Sequence, residues 1–157
     1  MAQNVAPAAL SSDLEFLGFR AGATIEDVEA QLATLGGSAL RCRTAKRDER
    51  VRECRAEVAV PGLDEPVELW MSAISGTTGV LTLSSTMDDP ELRRWRDELV
   101  VRFGEVGAKG QGTQWMMQWV RQRRMLRLTW RGEQGRIRSS VSLVDGRVLD
   151  GWSPPRR

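Results

Sequence analysis

The chain predicts an α+β fold: a curved antiparallel sheet of about eight strands, with two helices on one face. Three observations carry that expectation. Segments 24–35 and 88–103 place apolar residues at helical spacing just after acidic and hydroxyl residues suited to capping. Most of the remaining stretches alternate apolar and polar residues with a period of two, and Gly, Asp and Ser break them where turns belong. The order of these segments is one helix and four strands, then the same again. It divides a single domain over 13–152 into repeats at 13–87 and 88–152, between an extended tail at 1–12 and a short tail at 153–157.

In the first repeat, residues 14–20 read as a short strand or extended lead-in anchored by Phe16 and Phe19. Thr24 and Asp27 then stand in a capping-box arrangement. Ile25, Val28, Leu32 and Leu35 share one helical face, and Gly36-Gly37 supplies a left-handed exit. Strands at 38–45 and 51–60 form a hairpin around 46–50. If its turn centres on Asp48, Cys42 and Cys54 stand opposite one another, where a cross-strand disulfide fits a non-hydrogen-bonded pair. Such a bond favours an oxidising compartment. The competing reading is two free thiols on a cytosolic strand. Strands at 66–75 and 79–85 complete the repeat after a loop at 61–65.

The second helix, 88–103, is expected to start at an Asp89 cap with Pro90 in its first turn. Its buried stripe is Leu92, Trp95, Leu99 and Phe103, and Gly104 ends it. The glycine-rich segment 105–112 follows a helix and opens a strand, the reverse of a dinucleotide-binding loop, so it reads as a flexible connection. Then comes a meander. Trp115, Met117 and Trp119 share a face of one strand, Leu126, Leu128 and Trp130 a face of the next, and Ile137, Ser139, Val141 and Leu143 a face of the third. Asp145-Gly146 reads as a two-residue hairpin turn into a last strand at 148–152.

Composition narrows the chemistry. There is no histidine and no tyrosine, and the only lysines are Lys46 and Lys109, so the commonest general base and metal ligand are missing. Two cysteines without histidine make half a zinc site, and no metal, cofactor or catalytic residue is assigned. Acidic groups cluster at Asp64, Glu65 and Glu68 and at Asp88, Asp89 and Glu91. A carboxylate pair can do acid–base work in a glycosidase, but each cluster sits at a strand start or a helix cap, which explains it. No apolar run is long enough to span a bilayer. Residues 1–104 carry 12 Lys and Arg against 17 Asp and Glu, and residues 105–157 carry 11 against 4. The basic half marks candidate partner-binding residues: Trp115, Trp119, Arg121, Arg123, Arg124, Arg127 and Arg131. The bland alternatives are that the tryptophans are core and the arginines keep the sheet soluble.

Two further features concern the compartment. Ala2-Gln3-Asn4 is similar to the residues that follow a signal-peptidase site, with Met1 added for expression. The run from Gly18 to Thr24, followed by Ile25-Glu26-Asp27-Val28 and Leu32, resembles the Gly-x-[Ser/Thr]-x-x-x-Val-x-x-x-Leu helix entry of small bacterial envelope domains. These are the beta-lactamase-inhibitor-protein-like fold and the SmpA/OmlA outer-membrane assembly lipoproteins. The resemblance covers residues 16–37. It implies an exported α+β protein, periplasmic or secreted, that binds another protein or protein complex and catalyses nothing. The expectation is therefore a non-enzymatic exported binding or scaffold domain, an accessory subunit of an envelope assembly. The alternative is a cytoplasmic protein that binds single-stranded nucleic acid by stacking bases on tryptophan in a basic groove.

Overall fold

The computed structural model describes residues 13–151. Helix α1 (Ile25–Thr34) precedes strands β1 (Arg41–Ala45), β2 (Asp48–Val58), β3 (Val67–Ile74) and β4 (Thr77–Met87). Helix α2 (Asp89–Phe103) precedes β5 (Lys109–Gln111), β6 (Gln114–Arg121), β7 (Arg124–Glu133) and β8 (Arg136–Asp145), and α3 (Gly146–Asp150) follows. The strands form one antiparallel sheet in the order β1-β2-β3-β4-β8-β7-β6-β5, which does not close into a barrel.

Register decides which face each residue occupies, because a strand's side chains alternate. Cys54, Met71, Leu81, Leu143, Leu126 and Trp119 are successive cross-strand partners across six strands. So are Ala56, Leu69, Leu83, Val141, Leu128 and Met117. All twelve are buried, and they share one core cluster with Ile25, Val28 and Leu32 of α1 and Leu92, Trp95, Leu99 and Phe103 of α2. Both long helices therefore lie on this face.

The caps form where short side chains can reach orphan N–H groups. Thr24 Oγ1 accepts the Asp27 N–H at 3.1 Å, and Asp27 Oδ2 accepts the Thr24 N–H at 3.3 Å. Gly36 takes a left-handed φ of 71° just past α1. The expected Asp89 cap is corrected to Asp88. From there Glu91 is the third helical residue and can answer the N-cap reciprocally, with bonds of 2.8 and 3.0 Å. Residues 14–20 are a tight turn rather than a strand: Leu17 and Gly18 have positive φ, and Phe16 and Phe19 bond each other's backbone. Both rings are buried, and Phe16 meets Trp95 edge-on at 4.9 Å.

Two expectations about strands are corrected. Segment 105–112 contains β5, which pairs with the start of β6. The last strand at 148–152 is absent over its described part, because α3 begins at Gly146. Asp145 accepts the Arg147 N–H at 2.9 Å and caps this helix instead of turning a hairpin. Gly146 is required by crowding, since a β-carbon there would stand 2.8 Å from the Arg123 carbonyl oxygen. Trp152 and both tails lie outside the described residues.

Candidate functional site

One face of the sheet is closed by α1 and α2; the candidate site is the other. Its residues are the opposite phase of the same strands. Arg55, Trp70, Thr82, Ser142, Arg127 and Gln118 are successive partners across it, and Ser84, Ser140, Thr129 and Met116 form the next row. Neither α1 nor α2 covers this face. Two hydroxyl pairs sit at its centre: Thr82 and Ser142 lie 3.1 Å apart, and Ser84 and Ser140 2.8 Å apart. Arg127 donates from Nε and Nη2 to Gln118 Oε1 at 2.9 and 2.7 Å. Arg138 donates to Glu68 at 2.9 Å. A groove of about 270 Å³ runs between Ser84, Gln114, Thr129, Trp130, Arg131, Arg138 and Ser140.

The candidate binding residues separate between the two faces. Trp119 is buried on the helix side; its Nε1 donates to the Gly104 carbonyl at 2.9 Å and its ring packs near Phe103. Trp115 shares that side at the rim, 49% exposed, and Trp130 lies under the Arg96 guanidinium at 4.8 Å. Arg121 reaches the carbonyl of Phe103, Arg124 pairs with Asp145, and Arg123, in the β6–β7 turn, pairs with Asp150. Of the seven, only Arg127 and Arg131 belong to the uncovered face. The Ser/Thr rows, Arg138, Gln118 and Trp70 were not among the candidates. Their signal is the polar phase of each alternating strand, which looks like ordinary solvent-facing sequence.

Cys42 and Cys54 are directly opposed, with Cα atoms 4.0 Å apart, and are disulfide-bonded. The expected register holds from Arg41 to Thr44; a bulge then brings Ala45 opposite Asp48, so the turn is shorter than the 46–50 loop expected. The bond ties edge strand β1 to the core through Cys54, which is fully buried.

The two acidic clusters meet at one point. Carboxylate oxygens of Asp64, Asp88 and Glu91 lie within 4.8 Å of one another. Glu91 is 3% exposed, and its oxygens are taken: Oε1 accepts the Asp88 N–H, Oε2 accepts the Asp64 N–H at 2.9 Å, and Arg136 Nη2 stands 3.8 Å from Oε1. The group fastens the 61–66 loop to α2. At the opposite end of the sheet, buried Asp145 bonds Arg124 Nε at 3.1 Å and the Arg147 N–H. Burial alone would raise its pKa, but Arg124 and Arg147 outweigh burial and hold the carboxyl below the ordinary aspartate range.

No helix among the described residues is long and apolar enough to cross a membrane. No protein-family model, curated protein or solved structure matches this chain.

Proposed function

We propose that this chain is a non-enzymatic protein-binding or scaffold domain of an oxidising compartment, periplasmic or extracellular, serving a larger envelope assembly. The observation that carries the proposal is the sheet's asymmetry. One face is closed by two helices, and the other presents rows of Ser, Thr, Arg and Gln that neither long helix covers. The Cys42–Cys54 bond supports the compartment, because structural disulfides persist where thiols are not kept reduced. The resemblance of residues 16–37 to envelope-domain helix entries points the same way. The sheet order is that of two four-strand meanders meeting at β4 and β8, which fits descent from a doubled helix-plus-four-strand unit.

The test is site-specific photo-crosslinking in the native cells, with the crosslinking residue at Thr129 or Ser140 on the uncovered face and at Glu29 on exposed α1 as control. Protein adducts at Thr129 and Ser140, absent at Glu29, are the expected result. Adducts at none of these positions, or equally at all three, count against the proposal.

A further inference from the structure

Resting on the uncovered face as the docking surface proposed above, we infer that its occupant over β6–β8 is an acidic protein segment, bound through carboxylates to Arg127, Arg131 and Arg138. Charge is the first reason. On this face β1–β4 carry no cationic excess, with Arg41, Arg43 and Arg55 against Glu49, Glu53, Glu57 and Glu68. Strands β5–β8 do: Lys109, Arg127, Arg131 and Arg138 stand with only Glu133, and Arg136, of the same phase, reaches Glu91 of α2. Complementary charge selects and orients a partner even where it adds little affinity.

The chemistry of the individual groups narrows the partner. Three of the four cations are arginines, whose planar fork matches a carboxylate with two parallel N–H donors. Arg131 and Arg138 hold acidic partners that are themselves more than half exposed, and Arg127 holds Gln118. Arg131 and Glu133 are 3.5 Å apart with both side chains more than half exposed, and Glu68, which pairs with Arg138, is 57% exposed. Exposed pairs of this kind contribute little, so an incoming carboxylate can replace either one at low cost. Between them the hydroxyls of Ser84, Thr129 and Ser140 line the groove and suit the backbone amides of an extended segment.

The placement of the tryptophans argues for protein over nucleic acid. Single-stranded nucleic acid is held by bases stacked on aromatic rings within a basic groove. Here Trp115, Trp119 and Trp130 belong to the helix-side phase of β6 and β7, with Trp130 also bordering the groove. The uncovered face carries Trp70 on β3, three strands from Arg127, so no row of stacking rings runs beside Arg127, Arg131 and Arg138. A carboxylate needs only the arginines.

A random peptide display library, selected against the full chain, tests this, with the T129W and R131Q/R138Q variants for comparison and a dT12 oligonucleotide as competitor. T129W fills the groove; R131Q/R138Q removes two cations and should retain the parent melting temperature. R131K/R138K keeps the charge without the fork and covers the case in which the glutamine pair does not fold. The expected peptides are rich in Asp and Glu. They are lost on T129W, weakened about tenfold or more on R131Q/R138Q, and partly retained on R131K/R138K. Peptides that T129W blocks but that lack acidic residues and ignore the arginines would overturn the acidic partner and leave the docking face standing. Selection of no T129W-sensitive peptide would overturn both. Displacement of acidic peptides by dT12 at equal concentration would overturn the protein partner in favour of nucleic acid.

Discussion

Arg124 Nε lies 3.1 Å from Asp145 Oδ2, and this pair closes the end of the sheet where β7, β8, α3 and the lead-in to α1 converge. The lead-in must come close: a β-carbon on Gly22 would stand 2.5 Å from Asp145 Oδ2, and Gly22 takes a φ of 88°. Gly22 and Ala23 in turn bond Thr78 at the start of β4. Because the Asp145 pKa is lowered in the folded state, its contribution is present above the unfolded aspartate value of about 3.9 and is lost as pH falls through the folded value. The melting temperature should therefore drop steeply as acid is added below about pH 4, and D145N should flatten that part of the profile. At neutral pH D145N should cost about 2–3 kcal/mol, at the lower end for breaking a buried pair because Arg124 is partly exposed. Thermal melts across pH check both.

The disulfide closes a loop with a sequence separation of 12 and pins an edge strand. Its loss should cost about 3 kcal/mol in the chain-entropy model, whether by reduction or in C42S/C54S. Denaturant titrations with and without reductant give the difference, which should vanish in the double variant.

Trp115 and Trp119, four residues apart on the same phase of β6, should respond by different amounts. W119A removes a buried ring and its bond to Gly104, and should cost about 3–5 kcal/mol. W115A removes a half-exposed rim residue and should stay within about 1 kcal/mol. Equal costs would mean that the two rings do not differ in burial as described.

Glu91 is expected to act as a fastener. E91A leaves the Asp64 and Asp88 N–H groups without their carboxylate acceptor, and should cost about 1–3 kcal/mol. Amide exchange at Asp64 should accelerate more than exchange in β4, because the loop is released while the sheet stays paired.

Much of this architecture is legible in the residues. Both helix stripes, the Cys42–Cys54 register and the inward phase of Leu126, Leu128, Val141 and Leu143 follow from spacing alone, since burial on one face imposes strict periodicity. The errors fall where one residue type serves two structures. Asp145-Gly146 is as good a helix cap as a hairpin turn, because both exploit a short carboxylate that bonds the backbone two residues on. Strand β5 has no alternation, being exposed on both faces, and a β-carbon on its Gly110 would meet the Trp115 ring at 3.3 Å. The site was harder to read. Trp119, Arg121, Arg123, Arg124 and Arg127 are neighbours in sequence, and only strand parity and the turn at Gln122–Arg123 reveal that they occupy different surfaces.

The most direct measurement is the mass of the protein isolated from its native cells with thiols trapped at lysis, compared with and without reduction. A closed Cys42–Cys54 bond, seen as a gain of two hydrogens on reduction and no trapped thiol before it, is the expected result for a domain that works in an oxidising compartment. Two trapped thiols in the native protein would contradict it.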